Sequence, residues 1–82
     1  MAEPWKFALG KEGVARQLMD GVSARILAGE HVMLSHVTIE PHTTTVVHHH
    51  HEEQWGVLLE GRCVRIQGGE EVAMGPGECW QT

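Results

Sequence analysis

Hydrophobic positions alternate with polar ones in short runs along most of this chain, and turn-forming residues separate the runs. Side chains of a strand point alternately to opposite faces, so a two-residue period predicts half-buried strands rather than helices. Residues 14–19 and 22–27 form the first pair, with Asp20-Gly21 between them as a strong hairpin signal. Ala28-Gly29-Glu30 reads as the next turn, and a longer strand runs from Val32 to Ile39. Pro41-His42 ends it, because proline cannot donate to a ladder. Residues 43–50 are β-branched and then histidine-rich, which predicts extended backbone.

The second half continues in the same way. A strand over Gln54–Leu59 turns at Glu60-Gly61 into Arg62–Gln67. Gly68-Gly69 turns into Glu71–Met74, Gly75-Pro76-Gly77 makes a corner, and Cys79–Thr82 opens a further strand. Trp5-Lys6-Phe7 offers one more strand at the N-terminus. No segment carries a helical period, a low-complexity linker or an internal repeat. Regular short strands with turn signals predict one all-β domain over residues 1–82, a sandwich or a barrel. Residues 1–12 are expected to form an edge strand through which two copies pair, so a homodimer is expected.

Composition narrows the class. A chain of 82 residues buries only about 60–65% of its unfolded surface, and its core is marginal without a metal, a disulfide or a partner. The 41% hydrophobic content fits a folded domain, and a formal charge of -5 argues against nucleic acid or an anionic membrane as a partner. Two cysteines, Cys63 and Cys79, are too few for a disulfide-stapled module and read as small buried residues. No apolar run reaches bilayer length, and the first residues lack a signal-peptide pattern, so a reducing cytoplasm is the expected location.

The most specific chemistry lies in His48-His49-His50-His51, followed by Glu52-Glu53-Gln54. On a strand His48 and His50 share one face, while His49 and His51 take the other. Residues two apart lie ~6.6 Å apart along a strand, and two imidazoles at that spacing can converge on one ion. A surface histidine tract is the competing reading, but patterned β sequence flanks the four residues on both sides. Gln54 on the same flat strand would lie ~13 Å from His50 and could not share the ion. If Gln54 is a ligand, the chain must bend within His51-Glu52-Glu53; the alternative is a side-chain amide that ties down this bend through backbone hydrogen bonds.

These residues resemble the first motif of the cupin family of small β-barrels, G-x5-H-x-H followed by three or four residues, E and x6-G. His42 stands at the leading glycine, His48 and His50 at the two histidines, Gln54 at the glutamate and Gly61 at the closing glycine. The resemblance implies a jelly-roll antiparallel β-barrel with a divalent transition metal, Zn, Ni, Mn or Fe, held by His48, His50 and Gln54. Gly77 matches the start of the second motif, but Thr82 precedes its proline and its metal-binding histidine. The barrel is therefore expected to be incomplete at the C-terminus, with the natural chain continuing. A His-His-Gln set brings no negative charge, so the ion it holds should be a stronger Lewis acid than with a glutamate. Some small cupins acting on uronate-derived sugars are similar in carrying glutamine there.

The expected activity is Lewis-acid chemistry on an oxygenated small molecule such as a sugar-derived acid, of the isomerase or lyase type. The alternatives are an Fe(II)-dependent dioxygenase and a non-catalytic sensor. No general base is assigned. Glu52 and Glu53 are expected as solvated charges, or as acceptors for the imidazole N–H groups. His36 is expected as a satisfied interior or surface histidine, and could instead point into the barrel near the ion. Trp55 and Trp80 are expected in the core, an interface or a pocket wall, and Met19, Met33 and Met74 as barrel filling.

Overall fold

The computed structural model describes residues 5–45 and 53–82. Among them the secondary structure is β1 (Val14–Met19), β2 (Val22–Ala28), β3 (Met33–Ile39), β4 (Trp55–Val57), β5 (Cys63–Gln67), β6 (Glu70–Met74) and β7 (Cys79–Gln81), with no helix. Every strand pair is antiparallel. The all-β expectation holds. The chain divides into two compact units, Met1–Val46 and Val47–Thr82.

In the first unit β1, β2 and β3 form a meander in that order. Asp20 and Gly21 make the β1–β2 hairpin, as their sequence predicts. The register slips by one residue between Gln17 and Met19, and Gln17 Nε2 donates to the Met19 carbonyl at 2.7 Å. Cross-strand pairs share a face, so Val22, Ala24, Val37 and Ile39 form one apolar side. Val22 and Ala24 are the buried residues there, at 4% and 6% exposure. Ser23, Arg25, His36 and Thr38 make the opposite, polar side. Val32 belongs to the turn, its carbonyl accepting from the Gly29 N–H at 2.7 Å, so β3 starts one residue later than expected. Residues 5–13 are turn, bend or irregular backbone, so the edge strand expected over residues 1–12, Trp5-Lys6-Phe7 included, does not form among the described residues; residues 43–45 are not in a strand either.

The second unit is a hairpin held inside a longer-range pair. β5 and β6 pair across the Gly68-Gly69 turn, from Cys63↔Met74 to Gln67↔Glu70. β4 pairs with β7, from Trp55↔Gln81 to Val57↔Cys79. Leu58 and Gly77 continue that ladder: the Leu58 N–H donates to the Glu78 carbonyl at 3.0 Å, and the Gly77 N–H to the Leu58 carbonyl at 2.7 Å. The strand expected over Gln54–Leu59 is thus shorter, because Leu58 and Leu59 turn towards Gly61. Met74, at 8% exposure, is the buried apolar residue of this unit.

Three expectations are corrected. Cys63 and Cys79 are exposed free thiols, since both sit at strand ends next to corners. Trp55 is 69% exposed, which excludes the core among its expected places, because its partner across the ladder is Gln81 on a polar face. Met33 is also exposed, at the open start of β3, while Met74 does fill the interior.

Candidate functional site

His48 and His50 lie outside the described residues, as do His49, His51 and Glu52. Gln54 and Glu53 are described, and the second unit builds a polar and aromatic cluster next to them. Gln54 extends the β4–β7 ladder by one step. Its N–H donates to the Thr82 carbonyl at 3.3 Å, and the Thr82 N–H donates to the Gln54 carbonyl at 2.8 Å. Directly opposed residues of an antiparallel pair project to the same face. Gln54, Gly56, Trp80 and Thr82 therefore share one face of this ladder. The Gln54 carboxamide makes no hydrogen bond to any described residue.

Glycine at position 56 lets the Trp80 indole lie flat across the ladder. A Cβ there would come within 2.2 Å of Trp80 Cζ2. Above the indole sits the Arg65 guanidinium, 4.6 Å from the ring centroid. Arg65 is held on two further sides: Nε donates to Gln67 Oε1 at 3.2 Å, and Nη2 donates to Thr82 Oγ1 at 2.9 Å. Gln67 in turn donates to the Gln81 carbonyl at 2.7 Å. These contacts lay the Cys63/Arg65/Gln67 face of the hairpin against β7. The groove so formed has a volume of about 250 Å³ and is walled by Arg65, Gln67, Met74 and Trp80 among others.

On the opposite face Glu53 has a separate task. Its carboxylate accepts from Trp55 Nε1 at 3.0 Å and from Gln81 Nε2 at 2.5 Å. It clamps the start of β4 to the end of β7, on the side away from Gln54. Glu53 is exposed, as expected of a solvated charge, and the imidazoles it was expected to accept from lie outside the described residues. His36 lies in the first unit, half-buried on the polar face beside Arg25 and Thr38, with Gly10 against its ring. Among the described residues no three His, Cys, Asp or Glu side chains gather as a metal cluster.

Sequence reasoning placed Gln54 but not the group around it. Arg65, Gln67 and Thr82 were missed, although Arg65 and Gln67, like Trp80 and Thr82, have the two-residue spacing of a shared strand face. What the sequence lacked was the pairing of β5–β6 with β4–β7. His42, at the motif's leading glycine, has a left-handed backbone with φ 64°, and Gly61, at its closing glycine, has φ 83°. The two motif ends are thus left-handed corners, a conformation that glycine adopts without cost and other residues seldom do.

No helix among the described residues is long and apolar enough to cross a membrane. No curated protein and no solved structure matches the chain. The family model described as a cupin domain matches residues 35–82, which include both motif corners, the histidine tract and the Arg65–Trp80 cluster. With that match over more than half of its length, and an all-β antiparallel architecture that fits a jelly roll, the chain belongs to the cupin domain family.

Proposed function

We propose that this chain is a metal-binding cupin that acts on an oxygenated small molecule of the sugar-acid type, by isomerisation or elimination. His48, His50 and Gln54 would hold a divalent transition metal. The observation that carries the reading is the state of Gln54. Its backbone is locked by two hydrogen bonds to Thr82, while its carboxamide has no partner among the described residues. A side chain fixed at its root and unengaged at its tip suits a ligand better than a bend-stabilising amide. The donor set, two imidazoles and an amide oxygen, fits Zn, Ni, Mn or Fe(II).

When bound, such an ion supplies Lewis-acid polarisation of a substrate oxygen. The chain's own residues give the rest. The groove beside the Trp80 edge offers apolar wall from Val72 and Met74 for a carbon skeleton, with Arg65 and Gln67 as polar groups beside it. A homodimer and a reducing cytoplasm, where the exposed Cys63 and Cys79 would stay thiols, belong to the same reading. Sedimentation at micromolar concentration tests the dimer.

Turnover of a panel of uronates and their ketonic isomers, assayed in anaerobic buffer with Zn and then with Fe(II), tests the activity. Product formation without oxygen and with a redox-inert metal supports the proposal. Activity confined to Fe(II) with oxygen uptake replaces it with a dioxygenase. Saturable binding with no product under either metal makes the chain a sensor.

A further inference from the structure

Arg65 is the one arginine of this unit that is built into a cradle rather than left to solvent. Its stem is half-buried on β5, its planar head lies 4.6 Å over Trp80, and Gln67 and Thr82 each accept one of its N–H groups. These anchors hold the head in a single orientation. Among the described residues no carboxylate lies within salt-bridge distance of it. An ordered guanidinium with no counter-anion, facing a small-molecule groove, is unusual because the ordering has an entropic cost that some anion normally offsets.

The hydrogen bonds show which donors of the fork are engaged. Nε and Nη2 are the donors engaged by Gln67 and Thr82. Nη1 carries no bond to a described residue and Nη2 carries one, so N–H groups on both nitrogens remain for an oxyanion. Thr82 links this head to Gln54: its hydroxyl takes the guanidinium N–H while its backbone pairs with Gln54. Arg65 and Gln54 thus serve the same face of one ladder.

We propose that Arg65 is the specificity-determining residue of this site and binds the carboxylate of the ligand through the N–H groups of Nη1 and Nη2 that have no partner among the described residues. This rests on the site reading above and adds the ligand's charge and orientation. A carboxylate fits better than a phosphate dianion, because Glu70 lines the same groove and the formal charge of the chain is -5.

The test compares glucuronate with glucuronamide, which has the same skeleton and no charge, by titration into the ¹⁵N-labelled full chain. The Arg65 Nε–H and Trp80 indole N–H resonances are followed, with added Zn and then with excess EDTA. Glucuronate should give saturable shifts at both resonances and bind about tenfold or more tighter than glucuronamide, since a charge-assisted bidentate contact is lost in the amide. Arg65→Met should erase that preference. Arg65→Lys, which keeps the charge and the stem, should retain a reduced preference, and it guards against a variant that simply fails to fold. The preference should persist in EDTA. A preference that EDTA abolishes and Arg65→Met leaves intact would assign the carboxylate to the metal and overturn the proposal. Absence of saturable binding, or tighter binding of glucose 6-phosphate than of glucuronate, would overturn it as well. If elemental analysis finds no stoichiometric ion while the acid preference still depends on Arg65, the metal reading fails and the anchor stands.

Discussion

Gln54 and Thr82 face each other as the last hydrogen-bonded pair of the β4–β7 ladder, with both backbone bonds made, at 3.3 Å and 2.8 Å. The pair fixes where the Gln54 side chain starts and which face it takes, independently of any ion. Substituting the side chain should therefore change metal affinity without unfolding the strand. Gln54→Ala is expected to weaken metal binding less than loss of either histidine, because one neutral oxygen donor is removed from a mixed set. Gln54→Glu adds a negative charge to the same position and should bind the divalent ion more tightly than the native residue. Metal titration monitored by calorimetry checks both; a Glu variant that binds more weakly would show that residue 54 does not reach the ion.

The alternation of the histidine tract makes a sharper test. His48→Ala and His50→Ala should each reduce the bound metal from about one ion per chain to near zero, since a site with three protein ligands seldom survives the loss of an imidazole. His49→Ala should leave it unchanged, because alternation along an extended tract would put that ring on the other face. Elemental analysis of protein prepared without a histidine tag reads this directly. Equal metal content in all three variants would reduce the tract to a surface feature.

Strand positions were legible in the sequence wherever a period of two met a turn signal. Asp20-Gly21 gave the first hairpin, and Gly68-Gly69 the β5–β6 turn, to within a residue. Local chemistry dictates such turns. The errors fell where tertiary pairing decides. Trp55 carries a hydrophobic side chain, yet its ladder partner Gln81 and its clamp to Glu53 set it on an exposed polar face. Cys63 and Cys79 read as core residues by type but stand at corners. The Arg65–Trp80–Thr82 group joins residues 17 positions apart, and nothing local in the sequence announces that contact.

Gly56 is needed for space. A Cβ would meet Trp80 Cζ2 at 2.2 Å and Cε2 at 2.3 Å, and the indole cannot swing away while Arg65 covers its other face. Gly56→Ala should cost about 1–3 kcal/mol by overpacking. In a chain of this size that lowers Tm by about 4–8 °C for each kcal/mol. The same variant should shift the Trp80 indole resonance. Calorimetry showing an unchanged Tm would mean that the ring does not rest on residue 56.

His42 occupies a left-handed corner, φ 64°, where the cupin motif has glycine. An L-residue in that conformation is strained by about 1–2 kcal/mol, while glycine is not but loses more backbone entropy on folding. The balance favours glycine, so His42→Gly should stabilise the fold by about 0.5–1 kcal/mol. That corresponds to a Tm rise of roughly 2–8 °C. Because the imidazole is exposed, no packing is lost with it. His42→Ala separates the two contributions: it removes the ring but keeps the Cβ strain, so its Tm should stay at or below that of the native chain. If His42→Gly melts no higher than His42→Ala, the corner is not left-handed in solution, and the histidine is tolerated there for reasons other than its position in the turn.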